Sequence, residues 1–264
     1  MRGSRTTTAA FALFAAVFLS ACGAKRIDLP SGAGAPFPGA ARAYAEAVQE
    51  CRGVRTLQAT LGLSGRAGST TLRGNVDGGF EAPDRIRLEG RHPLGRPVFI
   101  LIANGPLGTL YMPRDNRVLR DVAPASIVEA LVGLPLRPGE LRSLISGCGF
   151  GVADPANGRE YNRGYGAVDI DGATTYLRRQ DNVWRVVAAM RQPLTVTYAG
   201  FIGGRATMLR LISSGTPRTD LTVRLSDVNI NVPLDDAVFA VDVPAAAQPL
   251  TIEELRRAGP LGGE

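Results

Sequence analysis

Leu221-Thr222-Val223-Arg224-Leu225 and then Val228-Asn229-Ile230-Asn231-Val232 place an apolar side chain at every second position. A strand sends successive side chains to opposite faces, so this spacing specifies strands with one buried and one wet face. The same period runs upstream: Leu57, Ala59, Leu61 and Leu63 alternate with Thr56, Gln58, Thr60, Gly62 and Ser64, and Ile86 and Leu88 alternate with Arg85, Arg87 and Glu89. Residues 98–103 are apolar on both faces, and 110–112 continue the sheet after a Gly-Pro turn. Beyond Gly151 the strand signal returns at 166–170, 174–178, 183–189, 194–198 and 208–212, with Asp171-Gly172 and Asp181-Asn182 as hairpin turns.

Helical spacing breaks this run in three places. Ala40, Ala43, Tyr44, Ala47, Val48 and Cys51 follow the i, i+3, i+4, i+7 pattern of one helix face, and Gly53 stops it. Residues 126–131 form a short helix, and Pro138 opens another in which Leu141, Leu144 and Ile145 share a face. Near the C-terminus Thr251 and Glu254 have capping-box spacing, with Gly259 at the C-cap position. An α+β fold follows: a long antiparallel sheet of at least nine strands must curl, giving an unclosed β-barrel with helices covering its mouth.

The N-terminus sets the compartment. Arg2 and Arg5 precede an apolar run over 9–19, which as helix spans about 16 Å, roughly half a hydrocarbon core, so it reads as a leader and not a membrane anchor. Leu19-Ser20-Ala21-Cys22 matches the lipobox of bacterial lipoproteins, which makes 1–21 a signal peptide and Cys22 the lipidated mature N-terminus. The alternative is ordinary cleavage after Ala21 with Cys22 a free thiol. Several acyl chains, each worth about 0.8 kcal/mol per buried CH2, hold such a protein stably on a membrane. Gly23, not Asp, follows the cysteine; in enterobacterial lipoproteins an Asp there favours inner-membrane retention, so the resemblance points to the outer membrane. Residues 22–38 are Gly/Ala/Pro-rich and read as a lipidated tether of roughly 20 Å reach, leaving 39–264 as the folded domain.

Composition narrows the function. The 264 residues carry a formal charge of +6, which falls to +4 without Arg2 and Arg5, and the basic residues are spread along the chain. A nucleic-acid binder concentrates such charge in a stripe, so nucleic acid is excluded as a partner. His92 is the only histidine, which rules out a metal site of several imidazoles, and no G-x-S-x-G elbow accompanies it. Asp169-Ile170-Asp171-Gly172 lacks the later ligands of a calcium loop, and Gly147-Cys148-Gly149-Phe150-Gly151 ends a helix where a phosphate cradle would open one. The expectation is a protein without cofactor, metal or catalysis. Cys51 and Cys148 are the two sulfurs left once Cys22 is acylated; in an oxidising periplasm they pair as a disulfide, or remain two buried thiols. Trp184 sits in an alternating strand, either in the core or on a cavity wall.

Three segments resemble the LolB family of outer-membrane lipoprotein receptors: His92-Pro93-Leu94-Gly95; Leu131-Val132-Gly133-Leu134-Pro135-Leu136 followed by Leu141-Arg142 and Ile145-Ser146-Gly147; and Val183-Trp184-Arg185-Val186-Val187 with the closing strand from Leu221. The resemblance implies an unclosed barrel whose apolar cavity accepts the acyl chains of other lipoproteins from a periplasmic LolA-like carrier and delivers them to the outer membrane, as a monomer. It also implies that Pro93, Leu94 and Gly95 form a membrane-inserting turn, the alternative being that Leu94 packs under a neighbouring strand, and the candidate cavity lining is Leu61, Leu88, Ile100, Ile102, Leu110, Leu144 and Trp184. The alternative is a lipid-binding or structural envelope lipoprotein of the same fold that transfers nothing.

Overall fold

The computed structural model describes residues 28–92 and 97–258. Its strands are β1 (Ala35–Pro36), β2 (Thr56–Ala67), β3 (Thr70–Glu81), β4 (Arg85–Gly90), β5 (Phe99–Asn104), β6 (Gly108–Met112), β7 (Arg117–Val122), β8 (Asn157–Tyr161), β9 (Tyr165–Ile170), β10 (Ala173–Gln180), β11 (Val183–Arg191), β12 (Leu194–Ile202), β13 (Arg205–Ser213), β14 (Thr219–Ile230) and β15 (Gln248–Pro249). The α-helices are α1 (Ala40–Ala47), α2 (Gln49–Arg52), α3 (Pro124–Val132), α4 (Pro138–Ser146) and α5 (Ile252–Ala258).

The strands form one sheet in the order β1-β8-β9-β10-β11-β12-β13-β14-β2-β3-β4-β5-β6-β7-β15. Its neighbours run antiparallel, except that β15 lies parallel to β7. Strands rotate by roughly 20 to 25° against each neighbour, so a sheet this wide cannot stay flat. It remains unclosed, with β1 and β15 as its edges.

The hairpin turns sit where the sequence places them. Asp171, Gly172, Asp181 and Asn182 all take positive φ, between 48° and 75°, the backbone that lets a two-residue loop match strand twist. The two alternating sets that begin at Leu221 share β14, and the irregular register between Ser226 and Asn229 falls between them, where a bulge re-aims the side chains. At α5 the expected capping box forms: the Thr251 N–H donates to Glu254 Oε2 at 2.9 Å and the Glu254 N–H donates to Thr251 Oγ1 at 3.2 Å. Gly259 lies outside the described residues.

Three differences have physical reasons. β3 carries no obvious apolar period because glycine takes inward positions; at Gly78 a Cβ would meet the Phe80 ring at 2.7 Å, so the ring fills the space a side chain would need. β8 is mostly polar and partly exposed because it lies next to the edge. The segment read as a free tether is docked at its end: β1 pairs with β8, and the Phe37 ring lies 5.5 Å from that of Trp184.

Candidate functional site

The central strands build an apolar floor by register. Leu61 of β2 faces Val76 of β3, Val76 faces Gly90 of β4, and Gly90 faces Phe99 of β5. Gly90 is bare because a Cβ there would meet the Phe99 ring at 2.5 Å. Beside that row Leu209 of β13 faces Val223 of β14, which faces Leu63, and Leu211 faces Leu221. Over this floor lie Val128, Leu131 and Val132 of α3, Leu141, Leu144 and Ile145 of α4, and Leu134 and Leu136 of the connection between them. Gly133 makes the connection possible. It ends α3 with φ 73°, and a Cβ would meet Thr219 Oγ1 at 2.7 Å, so the position requires the conformational freedom of glycine.

Between floor and cover is a cavity of about 90 Å³ whose lining side chains are all apolar. An apolar cavity of about 150 Å³ stays dry and accepts benzene. The hollow here therefore fits a stretch of hydrocarbon, and a whole acyl chain enters only if part of the cover moves.

The two helices of the cover are held differently. At the start of α4 the Glu140 carboxylate accepts from Arg191 of β11 at 2.5 Å, from the Arg137 guanidinium at 3.0 Å and from the Arg137 backbone N–H at 3.0 Å. Arg142 Nη1 donates to the Val54 carbonyl at 2.8 Å. Past its end, Cys148 is joined by a disulfide to Cys51 of α2, with Cα atoms 5.7 Å apart, inside the usual range. By contrast, α3 is held by Thr219 Oγ1 donating to the Val132 carbonyl at 3.4 Å and by an ion pair of Glu129 with Arg256 of α5 at 3.4 Å. Thus α4 is held by polar and covalent ties, and α3 chiefly by the burial of Ile127, Val128, Ala130 and Leu131.

Burial pushes the Glu140 carboxyl up, but the hydrogen bonds from Arg191 and Arg137 outweigh it and hold the group at about 2. With a side chain only 6% exposed, Glu140 contributes roughly 3 kcal/mol above its unfolded value near 4.5, and this contribution is lost as pH falls toward 2. Urea titrations of the protein and of Glu140→Gln between pH 7 and pH 2 should give stabilities that differ by that amount at pH 7 and converge in acid. A difference that does not change with pH contradicts this role.

Of the seven candidate lining residues, Leu61, Leu88 and Leu144 line the cavity. The other four lie elsewhere. Ile100 and Ile102 point away because β5 is apolar on both faces and its inward set is Phe99, Leu101 and Ala103; a shift of one residue exchanges the faces, and composition gives no sign of which is inside. Leu110 is fully buried in the core outside the cavity lining. Trp184 packs on Phe37, and its backbone N–H donates to Glu46 Oε1 of α1 at 3.1 Å, which puts it under α1. Cys22, Pro93, Leu94 and Gly95 lie outside the described residues. Of the helical cover only Leu144 is among the candidates, and β13 supplies none, although the Leu-Val-Gly-Leu-Pro-Leu succession at 131–136 carries four of the lining side chains.

The fold and cavity define a class: an open antiparallel barrel clasping an apolar hollow beneath two short helices. No family model and no curated protein matches the chain. Among solved structures, a DUF1329 family protein from Desulfovibrio piger is similar in fold, with 13% identity, a TM-score of 0.50 and coverage of 75% of this chain and 96% of the other. A LolA superfamily protein from Nitrosomonas europaea aligns over 76% of this chain and 98% of its own, at 13% identity and a TM-score of 0.46. Among the described residues no helix is long and apolar enough to cross a membrane.

Proposed function

We propose that the protein is a lipid-binding lipoprotein of the cell envelope, anchored through Cys22 to the outer membrane with its domain facing the periplasm, and that it accepts acyl chains of other lipoproteins and delivers them to that membrane. The observation that carries this reading is the all-apolar cavity between the central strands and α3 and α4. Acyl chains cannot cross water unshielded, since each CH2 is worth about 0.8 kcal/mol, and a cavity of this lining replaces the bilayer. α3, which has fewer polar ties than α4, is the part of the cover that would have to shift for a longer chain to enter. Transfer then needs only a gradient of affinity, from a LolA-like carrier to this cavity to the membrane, and calls for no cofactor or catalysis.

The small volume favours a second reading, a module that holds one lipid and hands on nothing. Exchange separates the two. The protein loaded with a radiolabelled lipoprotein should release it to liposomes, and Leu94→Glu should take up cargo normally but fail to release it, because a charge at position 94 opposes entry into the membrane. Retention of a single lipid through purification, seen by mass spectrometry, with no release to liposomes, rejects transfer in favour of storage.

A further inference from the structure

The face of α4 turned away from the apolar cavity lines a second hollow. It is an open cleft of about 260 Å³ bounded by Arg142, Ser143 and Ser146 of α4, Arg52 of α2, Asp84 and Phe150. We propose that this cleft binds an oxyanion, a phosphate or carboxylate group, on the guanidinium groups of Arg142 and Arg52 with Ser143 beside them.

The charges favour this assignment. Two carboxylates also border the cleft: Arg191 and Arg137 already answer the charge of Glu140, and Asp84 sets one negative charge against the two of Arg142 and Arg52. Arg142 forms no ion pair among the described residues; Nη1 donates to the Val54 carbonyl, while Nε and the neighbouring Ser143 Oγ are screened from water with no partner in the protein. Burial pushes the Arg142 guanidinium down, opposed by the charge of Asp84. Arg52 donates to the Val152 carbonyl at 3.2 Å, and its carboxylate partner, Asp154, is 3.9 Å away with a fully exposed side chain. A half-buried cation with an unanswered N–H is costly, and a planar guanidinium suits the two oxygens of a carboxylate or phosphate. A small shift of Ser143 or of the guanidinium would open these donors to the ligand.

The cleft lies back to back with the cavity. Leu141, Leu144 and Ile145 face the cavity, and Arg142, Ser143 and Ser146 face the cleft, across one helix about 10 Å thick. A single ligand that used both would be an acyl chain carrying an anionic head, with the chain passing round an end of the helix between them. Only this choice of a lipid over a free ion rests on the acyl-binding reading.

Calorimetry with inorganic phosphate, dioctanoyl phosphatidic acid and uncharged dioctanoylglycerol tests it. Phosphatidic acid should bind at least tenfold tighter than dioctanoylglycerol, with the preference lost in Arg142→Gln and reduced severalfold in Ser143→Ala, which keeps the bond to Val54 and so guards against a folding defect. Binding of inorganic phosphate that depends on Arg142, with both lipids equal, supports the cleft with a free ion as its ligand. The same phosphate binding with neither lipid bound supports the cleft and counts against the acyl-binding reading. Equal binding of the two lipids, unaffected by either substitution and with no phosphate bound, overturns the cleft and leaves the acyl reading standing.

Discussion

Replacing Cys51 and Cys148 together by alanine should lower the free energy of unfolding by about 4 to 5 kcal/mol. The bond closes a loop of 97 residues, and loop-closure entropy for a loop that long is of this size in the chain-entropy model. For a domain of this length each kcal/mol moves the midpoint by roughly 2 to 4 °C, so the melting temperature should fall by about 10 °C or more. The bond also ties the end of α4 to α2 beside Val54, the residue whose carbonyl Arg142 holds, so its loss should loosen that wall of the cavity. Differential scanning calorimetry of the double variant against the oxidised protein measures the effect. A loss below about 1 kcal/mol contradicts it.

The second large effect belongs to the cavity. Val132→Trp should weaken binding of a fluorescent fatty acid at least tenfold. Val132 is half-buried at the end of α3 and lines the hollow, so a larger side chain there can occupy the volume without a buried strand having to shift. Excluding two methylenes costs about 1.6 kcal/mol, and about 1.4 kcal/mol is a factor of ten in affinity. Overpacking lowers stability by about 1 to 3 kcal/mol, so the binding isotherm is read well below the variant's own melting temperature. Leu107→Trp, at an exposed turn between β5 and β6, serves as the control and should bind as the parent does. Equal loss in both variants, or in neither, removes Val132 from the binding surface.

Both expectations depend on features that differ in how plainly the chain shows them. The alternation at Leu221, Val223 and Leu225 was enough to place β14, because a polar neighbour marks the wet face. The two-residue turns were equally plain, since few residues besides Asp, Asn and Gly tolerate their positive φ. What stayed hidden depends on partners distant in sequence. Phe80 and Phe99 lie over glycines, so β3 looks too polar to be inside and β4 loses an apolar position. β5 has no polar face, and only the packed sheet decides that Phe99 points in and Ile100 out. Trp184 has the spacing of a cavity wall but is claimed by Phe37, from a segment whose composition promised no structure. Leu209 and Leu211 line the cavity because β13 faces β14 in one particular register, which no local pattern encodes.

Photo-crosslinking with a diazirine-bearing fatty acid, followed by peptide mass spectrometry, reads the occupancy of the hollow directly. The label should fall on peptides containing Leu61, Val132 and Leu209, on facing walls of the same cavity, and palmitate should compete it away. Label confined to the outer face of the sheet, at Ile100 or Ile102, or undiminished by palmitate, would contradict an interior that takes acyl chains.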